Sequence, residues 1–351
     1  MSTNKSTWKK LTSMRLFMPL VCLLAIIIVA TITIPGFLSM SLKNGVPYGY
    51  PVDVINRASE LVILSVGMTL VTAASGGQDI SVGAVMAVAG AVCCQILSGG
   101  EVSVNSLSAP IIVAFLAALV ASGICGAFNG FLVAKLNIQP MVATLILYTA
   151  GRGIAQLITD GQITYIRVKS YQVFGSYVGK FPIPMPVVIA IIVVIIAYVI
   201  LKKTALGLYI ESVGINGTAS RLVGLNSTMI KFLTYLICGV LAGVAGFVAS
   251  SRIYSADGLN LEMDAILAVA LGGNALGGGK FSLMGSVIGA YTIQALTTVL
   301  YGLNVSADQL PVYKAIVVVV IVVLQSPVFK KFIAVQKEKR TSKAAVKGGA
   351  N

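Results

Sequence analysis

The sequence contains no histidine, and only 11 of its 351 residues are acidic. The missing histidine removes the usual general base, the commonest zinc ligand and the Ser-His-Asp triad together. Charged residues make up 10% of the chain, whereas soluble domains carry roughly 25%. A water-soluble surface is not built from so few charges. These shortages therefore argue against an enzyme and favour an integral membrane protein.

Cysteine is also scarce, and its five positions form no pattern. The count is odd and every cysteine lies in an apolar segment, at Cys22, Cys93, Cys94, Cys125 and Cys238. Neither a disulfide framework nor a metal site is expected from such residues. We predict that they are packing residues and that the chain holds no cofactor or metal.

What the sequence has in abundance is apolar residues, at 57% of the chain. Runs long enough to cross about 30 Å of hydrocarbon recur along its whole length. Bounded by charges, Pro and Gly, they predict ten transmembrane helices in an all-α fold, near residues 16–34, 60–76, 80–98, 110–133, 139–158, 183–201, 231–251, 263–277, 282–301 and 309–326.

The formal charge of +14 is concentrated at the two ends of the chain. Basic residues dominate residues 1–15, before the first span, and residues 327–351, after the last. By the positive-inside rule both segments are cytoplasmic, which requires an even number of spans. The basic residues flank spans and no aromatic-interleaved patch exists, so membrane lipid is the expected partner and nucleic acid is not. Residues 16–326 form the predicted membrane domain.

The predicted spans differ in composition. The sixth and tenth are rich in Val and Ile, as lipid-facing helices are, whereas the second to fourth and seventh to ninth carry many Gly, Ala and Ser, which favour close packing. Two Gly-dense stretches, Ala73 to Gly83 and Gly272 to Gly289, lie in the two halves of the chain. They suggest an internal inverted repeat with broken helices.

Polar residues within the predicted spans are the candidates for a solute path, because a charge in hydrocarbon costs several kcal/mol. For Asp79 the sequence leaves two roles open, a helix cap formed with Ser81 or a contact to substrate. For Arg152 it leaves a structural ion pair or a place along the path. No acid lies at a predicted span centre, which disfavours an ion-coupled carrier. The candidate path residues are Gln78, Asp79, Ser81, Asn129, Arg152 and Asn274.

The chain carries no ATPase motif of its own. Gly277 to Lys280 look like the end of a P-loop, but Asn274 stands where the first Gly belongs and Phe281 where Ser or Thr belongs. Any ATP that drives transport is therefore hydrolysed by a separate polypeptide. The longest predicted cytoplasmic loop, residues 202–230, is polar without low complexity, and is either a solvated connector or a functional segment.

Gly76 to Gly83, Gly-Gly-Gln-Asp-Ile-Ser-Val-Gly, resemble the Gly-Gly-x-Asp-Leu-Ser-Val-Gly signature of sugar-importing ABC permeases of the ribose, xylose and galactose type. Asn129-Gly130, Ile138-Gln139-Pro140, Arg152-Gly153 and Glu262 to Ile266 follow in that family's order. The resemblance covers residues 60 to 325. Gly278 to Ser282 and Gln294 to Thr298 are most similar to the permeases of furanose sugars.

The resemblance implies that residues 202–230 couple the membrane helices to an ATPase subunit. The residues that carry this implied role are Gly207, Glu211, Gly214, Asn216, Ala219, Arg221 and Gly224. Leu208, Glu211 and Ile215 depart from the residues usual in the family, which bears on the details of that interface.

The resemblance further implies a bacterial inner-membrane importer subunit for a monosaccharide. Its implied partners are an ATP-binding subunit, a second permease that is the same or a paralogous chain, and a periplasmic or lipid-anchored sugar-binding protein. The alternatives are a branched-chain amino-acid or nucleoside permease of the same superfamily and a proton- or sodium-coupled secondary carrier.

Overall fold

The structure, a computed structural model, describes residues 16–43, 45–179, 181–255 and 260–325. The basic segments at residues 1–15 and 327–351 lie outside the described residues. The helices are α1 Phe17–Thr33, α2 Tyr50–Ser75, α3 Val82–Ser98, α4 Ile111–Gly130, α5 Pro140–Ile158, α6 Lys169–Gln172, α7 Met185–Lys203, α8 Leu206–Ile215, α9 Gly217–Leu222, α10 Ser227–Ile253, α11 Glu262–Leu271, α12 Leu283–Gly302 and α13 Leu310–Gln325.

Each of the ten predicted spans contains a helix. Among the described residues, six helices are long and apolar enough to cross a membrane: α2, α4 with its π-helical turn Phe131–Lys135, α5, α7, α10 and α12. This confirms a multi-pass membrane protein. The span predicted at 263–277 needs correction, because α11 has 10 residues and rises about 15 Å, half the hydrocarbon thickness.

The second span begins earlier than the sequence predicted. Helix α2 starts at Tyr50 rather than near residue 60, with Pro51 in its first turn, where the missing proline N–H is not needed. It ends at Gly76, whose φ of +67° is the left-handed conformation that glycine adopts without strain. The extension carries Asp53, Arg57 and Glu60 on a helix rather than in a loop.

Four short strands correct the all-α prediction: β1 Ser41–Lys43, β2 Val46–Tyr48, β3 Ser103–Val104 and β4 Tyr165–Ile166. Strands β1 and β2 form an antiparallel hairpin, and β3 pairs with β4 in parallel. Tyr165 also bridges Ser255. All four strands lie in loops that the predicted topology places on one side of the membrane. Short strands between spans are not visible in the hydropathy pattern.

Helix α10 is the packing centre, with α2, α3 and α4 against it. Small residues allow this close approach: a side chain on Gly239 would meet the carbonyl oxygen of Ser122 on α4 at 2.5 Å. The most apolar stretch of α2 is 94% buried, as its small residues predicted. The corresponding stretch of α4 is only 28% buried. Its small residues form one stripe toward α10 and not an interior helix.

The described residues 300–325 belong to a separate compact unit. Within it, α13 exposes Val312, Ile316 and Val319, which recur at helical spacing on one face. This is the apolar surface expected of a lipid-facing helix.

Candidate functional site

The turn between α2 and α3 holds a buried cluster of polar side chains. Oδ1 of Asp79 accepts hydrogen bonds from the backbone N–H of Ser81 at 2.9 Å and from its hydroxyl at 2.6 Å. Asn129 on α4 donates to Ser81 Oγ at 2.8 Å. All three residues are buried, whereas Gln78 is partly exposed. The carboxylate therefore organises the start of α3, and the amide ties that start to α4.

This cluster gives the first prediction. Asp79→Ala leaves the N–H and hydroxyl of Ser81 buried without their acceptor, which should lower the free energy of unfolding by about 1–3 kcal/mol. Asp79→Asn keeps an acceptor oxygen in the same place and should cost clearly less. Unfolding of the purified chain in detergent measures both changes. Equal stability of the alanine variant and the native chain would contradict the assignment.

A second polar cluster joins α11, α12 and α2. The side-chain amide of Asn274 donates to Ser286 Oγ at 2.7 Å, and its Oδ1 accepts from the backbone N–H of Ser282. The hydroxyl of Thr69 on α2 reaches Ser286 Oγ at 2.6 Å. Asn274 thus fixes the Gly-rich segment that follows the short helix α11. It lies in a hydrogen-bond cluster separate from that of Asp79.

Arg152 forms an ion pair, one of the two roles the sequence left open. Its guanidinium lies 2.9 Å from Oε1 of Glu262, the first residue of α11, and stacks over the ring of Tyr148 at 4.9 Å. Glu262 is buried and Arg152 is partly exposed. The pair ties α5 to α11, and 29% of the Arg152 side chain remains exposed.

A second ion pair was missed by the sequence. Glu60, ten residues after α2 begins, lies 3.0 Å from the guanidinium of Arg252 on α10. Arg252 also donates to the backbone oxygen of Asn56 at 2.7 Å. The side chains of Arg252 and Glu60 are 18% and 3% exposed. The sequence placed Glu60 at the outer rim of the second span, whereas the structure places it inside a helix, because α2 begins at Tyr50.

The predicted coupling segment folds as two short helices, α8 and α9, joined at Asn216. Asn216 caps α9 by accepting from the N–H groups of Thr218 at 3.1 Å and Ala219 at 2.9 Å. Gly224 follows α9 with a φ of +88° and closes the turn toward α10. The structure thus gives this loop a defined conformation, which distinguishes it from a simple connector.

The two helices present an apolar surface to the outside of the molecule. Leu208, Ile215, Leu222 and Val223 are all exposed, and Leu222 is 86% exposed. Ala219 and Arg221 lie on the exposed part of the same segment, and Glu211 is partly buried. Exposed apolar residues so close together mark a contact surface.

The opposite face of α8 touches both Gly-dense stretches at Gly214. A side chain there would overlap the carbonyl oxygen of Ala73 at the end of α2 and approach the N–H of Gly279 to 2.6 Å. That N–H donates to Ala73 O at 2.9 Å. Gly207 packs in the same way against Leu201 at the end of α7. Helix α8 is therefore in direct backbone contact with the end of α2 and with the Gly-rich segment that follows Asn274.

The six candidate path residues do not form one site. Asp79, Ser81 and Asn129 form one cluster, Asn274 belongs to another, and Arg152 pairs with Glu262. Sequence reasoning missed Thr69, Ser286 and Glu60, because their partners are distant along the chain.

The loops fall into two groups by their contacts. Arg167 N–H bonds Val104 O, Ile166 N–H bonds Tyr254 O, and Tyr177 OH bonds Pro47 O, all at 2.8–2.9 Å. These bonds join four loops predicted on the outer side. A cavity of about 580 Å³ opens there beside Tyr48, Asp53 and Tyr177.

A buried tyrosine anchors these outer loops. The hydroxyl of Tyr171 lies 2.6 Å from Ser250 Oγ, and Ser251 donates to the Tyr171 carbonyl at 2.6 Å. Burial raises the pKa of the Tyr171 hydroxyl well above its ordinary value, so it remains neutral. The loop between α5 and α7 is therefore fixed to the end of α10.

Comparisons with known proteins agree with this architecture. The family described as "Branched-chain amino acid transport system / permease component" matches residues 50–325. A galactofuranose transporter permease of Escherichia coli is 43% identical over 326 residues, 92% of each chain. A fructose import permease of Bifidobacterium longum is 39% identical, covering 97% of this chain and 96% of the relative.

A ribose import permease of Escherichia coli is 35% identical over 314 residues, covering 88% of this chain and 92% of the relative. No solved structure matches the chain significantly. The match to these three relatives extends over nearly all of the helices described above.

Proposed function

The chain belongs to the permease-component family of branched-chain amino acid transport systems, and we propose that it is the membrane-spanning subunit of a binding-protein-dependent ABC importer for a monosaccharide. One observation carries the choice of substrate class. Relatives that match over 88–97% of this chain are named as permeases for galactofuranose, fructose and ribose. The highest of these identities, 43%, belongs to the galactofuranose permease, so we propose a furanose sugar.

The orientation we propose places both termini in the cytoplasm of a bacterial inner membrane, with ten crossings. The eighth is made by the short helix α11 together with the Gly-rich segment that follows it. The support for this orientation is that loops predicted on the same side of the membrane contact one another. The segments predicted outside are hydrogen-bonded to one another through β3, β4, Tyr177 and Tyr254. Those predicted inside meet at Gly76, Gly214 and Gly279. Alternation of ten spans from a cytoplasmic start produces the same two groups.

The coupling surface we propose is the exposed apolar face of α8 and α9, defined by Leu208, Ile215, Leu222 and Val223. It docks on a separate ATPase subunit that binds and hydrolyses the ATP, since the sequence of this chain carries no P-loop motif. Closure of two ATPases pushes α8, and the contact at Gly214 carries the motion to the ends of α2 and α12. The path then opens to the other side.

In this mechanism the six candidate path residues have two kinds of role. Gln78 and Arg152 are partly exposed and offer hydrogen bonds to sugar hydroxyls. Asp79, Ser81, Asn129 and Asn274 are buried, so they act by holding the two Gly-rich turns. The remaining parts of the importer are a second permease, the same or a paralogous chain, and a sugar-binding protein that docks on the outer loops.

The coupling surface is tested by Leu222→Glu. Leu222 is almost fully exposed, so the substitution leaves the fold intact while placing a charge in the proposed apolar contact. We expect co-elution of the variant with the ATPase subunit of its importer to fall at least about tenfold, since charges are depleted from interface cores. Leu42→Glu, the same change on β1 at a leucine that is 77% exposed, should retain full co-elution.

If both variants co-elute with the ATPase to the same extent, α9 is not the docking face. A native chain that does not co-elute with the ATPase would instead argue against the importer assignment as a whole.

The second candidate function, a branched-chain amino-acid permease, is favoured only by the wording of the family's description. Uptake assays with leucine and with monosaccharides separate the two.

A further inference from the structure

A basic cavity of about 670 Å³ lies where the π-helical turn after α4 meets the start of α10. Two cations line it, Lys135 from the turn and Arg221 from α9, and no acidic side chain does. Lys231, on the second turn of α10, adds a third positive charge at the same end of that helix. The cavity is separate from the exposed apolar face of α8 and α9.

Within the part of the chain that the structure describes, no acidic side chain forms a salt bridge with these cations. Three salt bridges occur among the described residues, and none includes Lys135, Arg221 or Lys231. Like charges gathered without an acid repel one another, and a bound anion relieves that repulsion. The charge pattern therefore favours an anionic ligand.

The guanidinium of Arg221 is held in place by hydroxyl groups. Its Nε donates to Ser227 Oγ and its NH2 group donates to Thr228 Oγ1 at 3.3 Å. Both hydroxyls belong to the first turn of α10, a 27-residue helix whose N-terminus carries partial positive charge. An oriented guanidinium beside a long helix's N-terminus suits a phosphate group.

The ligand must also be partly apolar. Phe131 and Met229 are exposed at the edge of the cavity. From Phe131 an exposed apolar stripe runs back along α4 through Phe128, Ile124 and Val120, at helical spacing. The stripe is continuous with the basic cavity and lies on a helix that crosses the membrane.

We infer that this cavity binds the phosphate headgroup of an anionic membrane phospholipid between Lys135 and Arg221, with an acyl chain along the α4 stripe. Basic pockets at the cytoplasmic ends of spans suit such headgroups. Because Arg221 and Asn226 belong to the segment between α8 and α10, the lipid braces the base of the coupling segment. The inference does not depend on which solute is transported.

The test uses the full chain purified in neutral detergent, with phosphatidylglycerol, phosphatidylcholine or inorganic phosphate added. We expect native mass spectrometry to show one phosphatidylglycerol bound in preference to phosphatidylcholine. Lys135→Gln should weaken phosphatidylglycerol binding about fivefold, as expected for one basic residue at a lipid surface. Lys203→Gln, an exposed cation at the end of α7 outside the cavity, should change nothing.

Several outcomes would overturn the inference. Equal binding of the two phospholipids would show that charge does not select the ligand. Equal effects of Lys135→Gln and Lys203→Gln would show that the cavity is not the site. Displacement of phosphatidylglycerol by inorganic phosphate at the same concentration would indicate a site for small anions. Loss of ATPase co-elution in Lys135→Gln without loss of phosphatidylglycerol binding would indicate an acidic surface of the ATPase.

Discussion

Gly214→Ala should lower ATP-driven sugar uptake at least about tenfold, because the added methyl group meets backbone atoms that cannot rotate away. It would overlap the carbonyl oxygen of Ala73 and crowd the N–H of Gly279, which are hydrogen-bonded to each other at 2.9 Å. Helix α8 must then shift away from α2, or that hydrogen bond must break. Either change separates the coupling segment from the Gly-rich turns that it is proposed to move.

The matched control is Gly217→Ala, which adds the same methyl group three residues further along the coupling segment. Its nearest neighbour would be Ser227 Cβ at 4.0 Å, an ordinary contact. We expect this variant to transport within about twofold of the native chain, since surface substitutions away from special features change little. Both variants are compared by uptake into proteoliposomes at equal amounts of inserted protein. Equal uptake by the two variants would show that the contact at Gly214 carries no coupling.

Glu60→Ala should be the most destabilising single change among the charged residues, by about 3–5 kcal/mol. The substitution leaves the Arg252 guanidinium, only 18% exposed, without the carboxylate that lies 3.0 Å away. An unpaired charge in that position carries its full desolvation cost. The paired substitution Glu60→Leu with Arg252→Leu removes both charges and should recover most of the lost stability.

The control for this prediction is Asp53→Ala on the same helix. Asp53 pairs with Arg57 at 2.8 Å, but the side chains of Asp53 and Arg57 are 45% and 58% exposed. Exposed pairs of this kind contribute about 0–1 kcal/mol. Denaturant unfolding of both variants in detergent compares a buried and an exposed pair on α2. If the two substitutions cost the same, the burial of Glu60 is not what the structure indicates.

The amino-acid sequence predicted the helices well because hydrophobic length is a local property. Each predicted span contains a helix, and Pro140 and Gly76 mark a start and an end that local geometry requires. It failed where local and long-range effects compete. Charged residues before Glu60 end the apolar run, so the sequence predicted that the helix begins near Glu60. In the structure these residues lie on α2. The buried carboxylate of Glu60 is paired with the guanidinium of Arg252, which is 192 residues away along the chain.

The candidate site was predicted as residue types and not as an arrangement. Asp79 and Ser81 are two residues apart, so their hydrogen bond is foreseeable from sequence. The bonds from Asn129 to Ser81 and from Thr69 to Ser286 depend on which helices are neighbours, which hydropathy does not encode. The same limit applies to α4, whose small residues face one neighbour and leave its other side exposed.

The measurement that tests the importer assignment most directly is uptake of labelled monosaccharides into proteoliposomes. They would contain this chain, its ATPase subunit, the sugar-binding protein and, if the second permease is a paralogous chain, that permease. We expect uptake of a furanose sugar, and not of leucine. This uptake should require ATP on the ATPase side and every component, and collapsing proton and sodium gradients should not affect it. Uptake by this chain alone, driven by either gradient without ATP, would contradict the account and identify a secondary carrier.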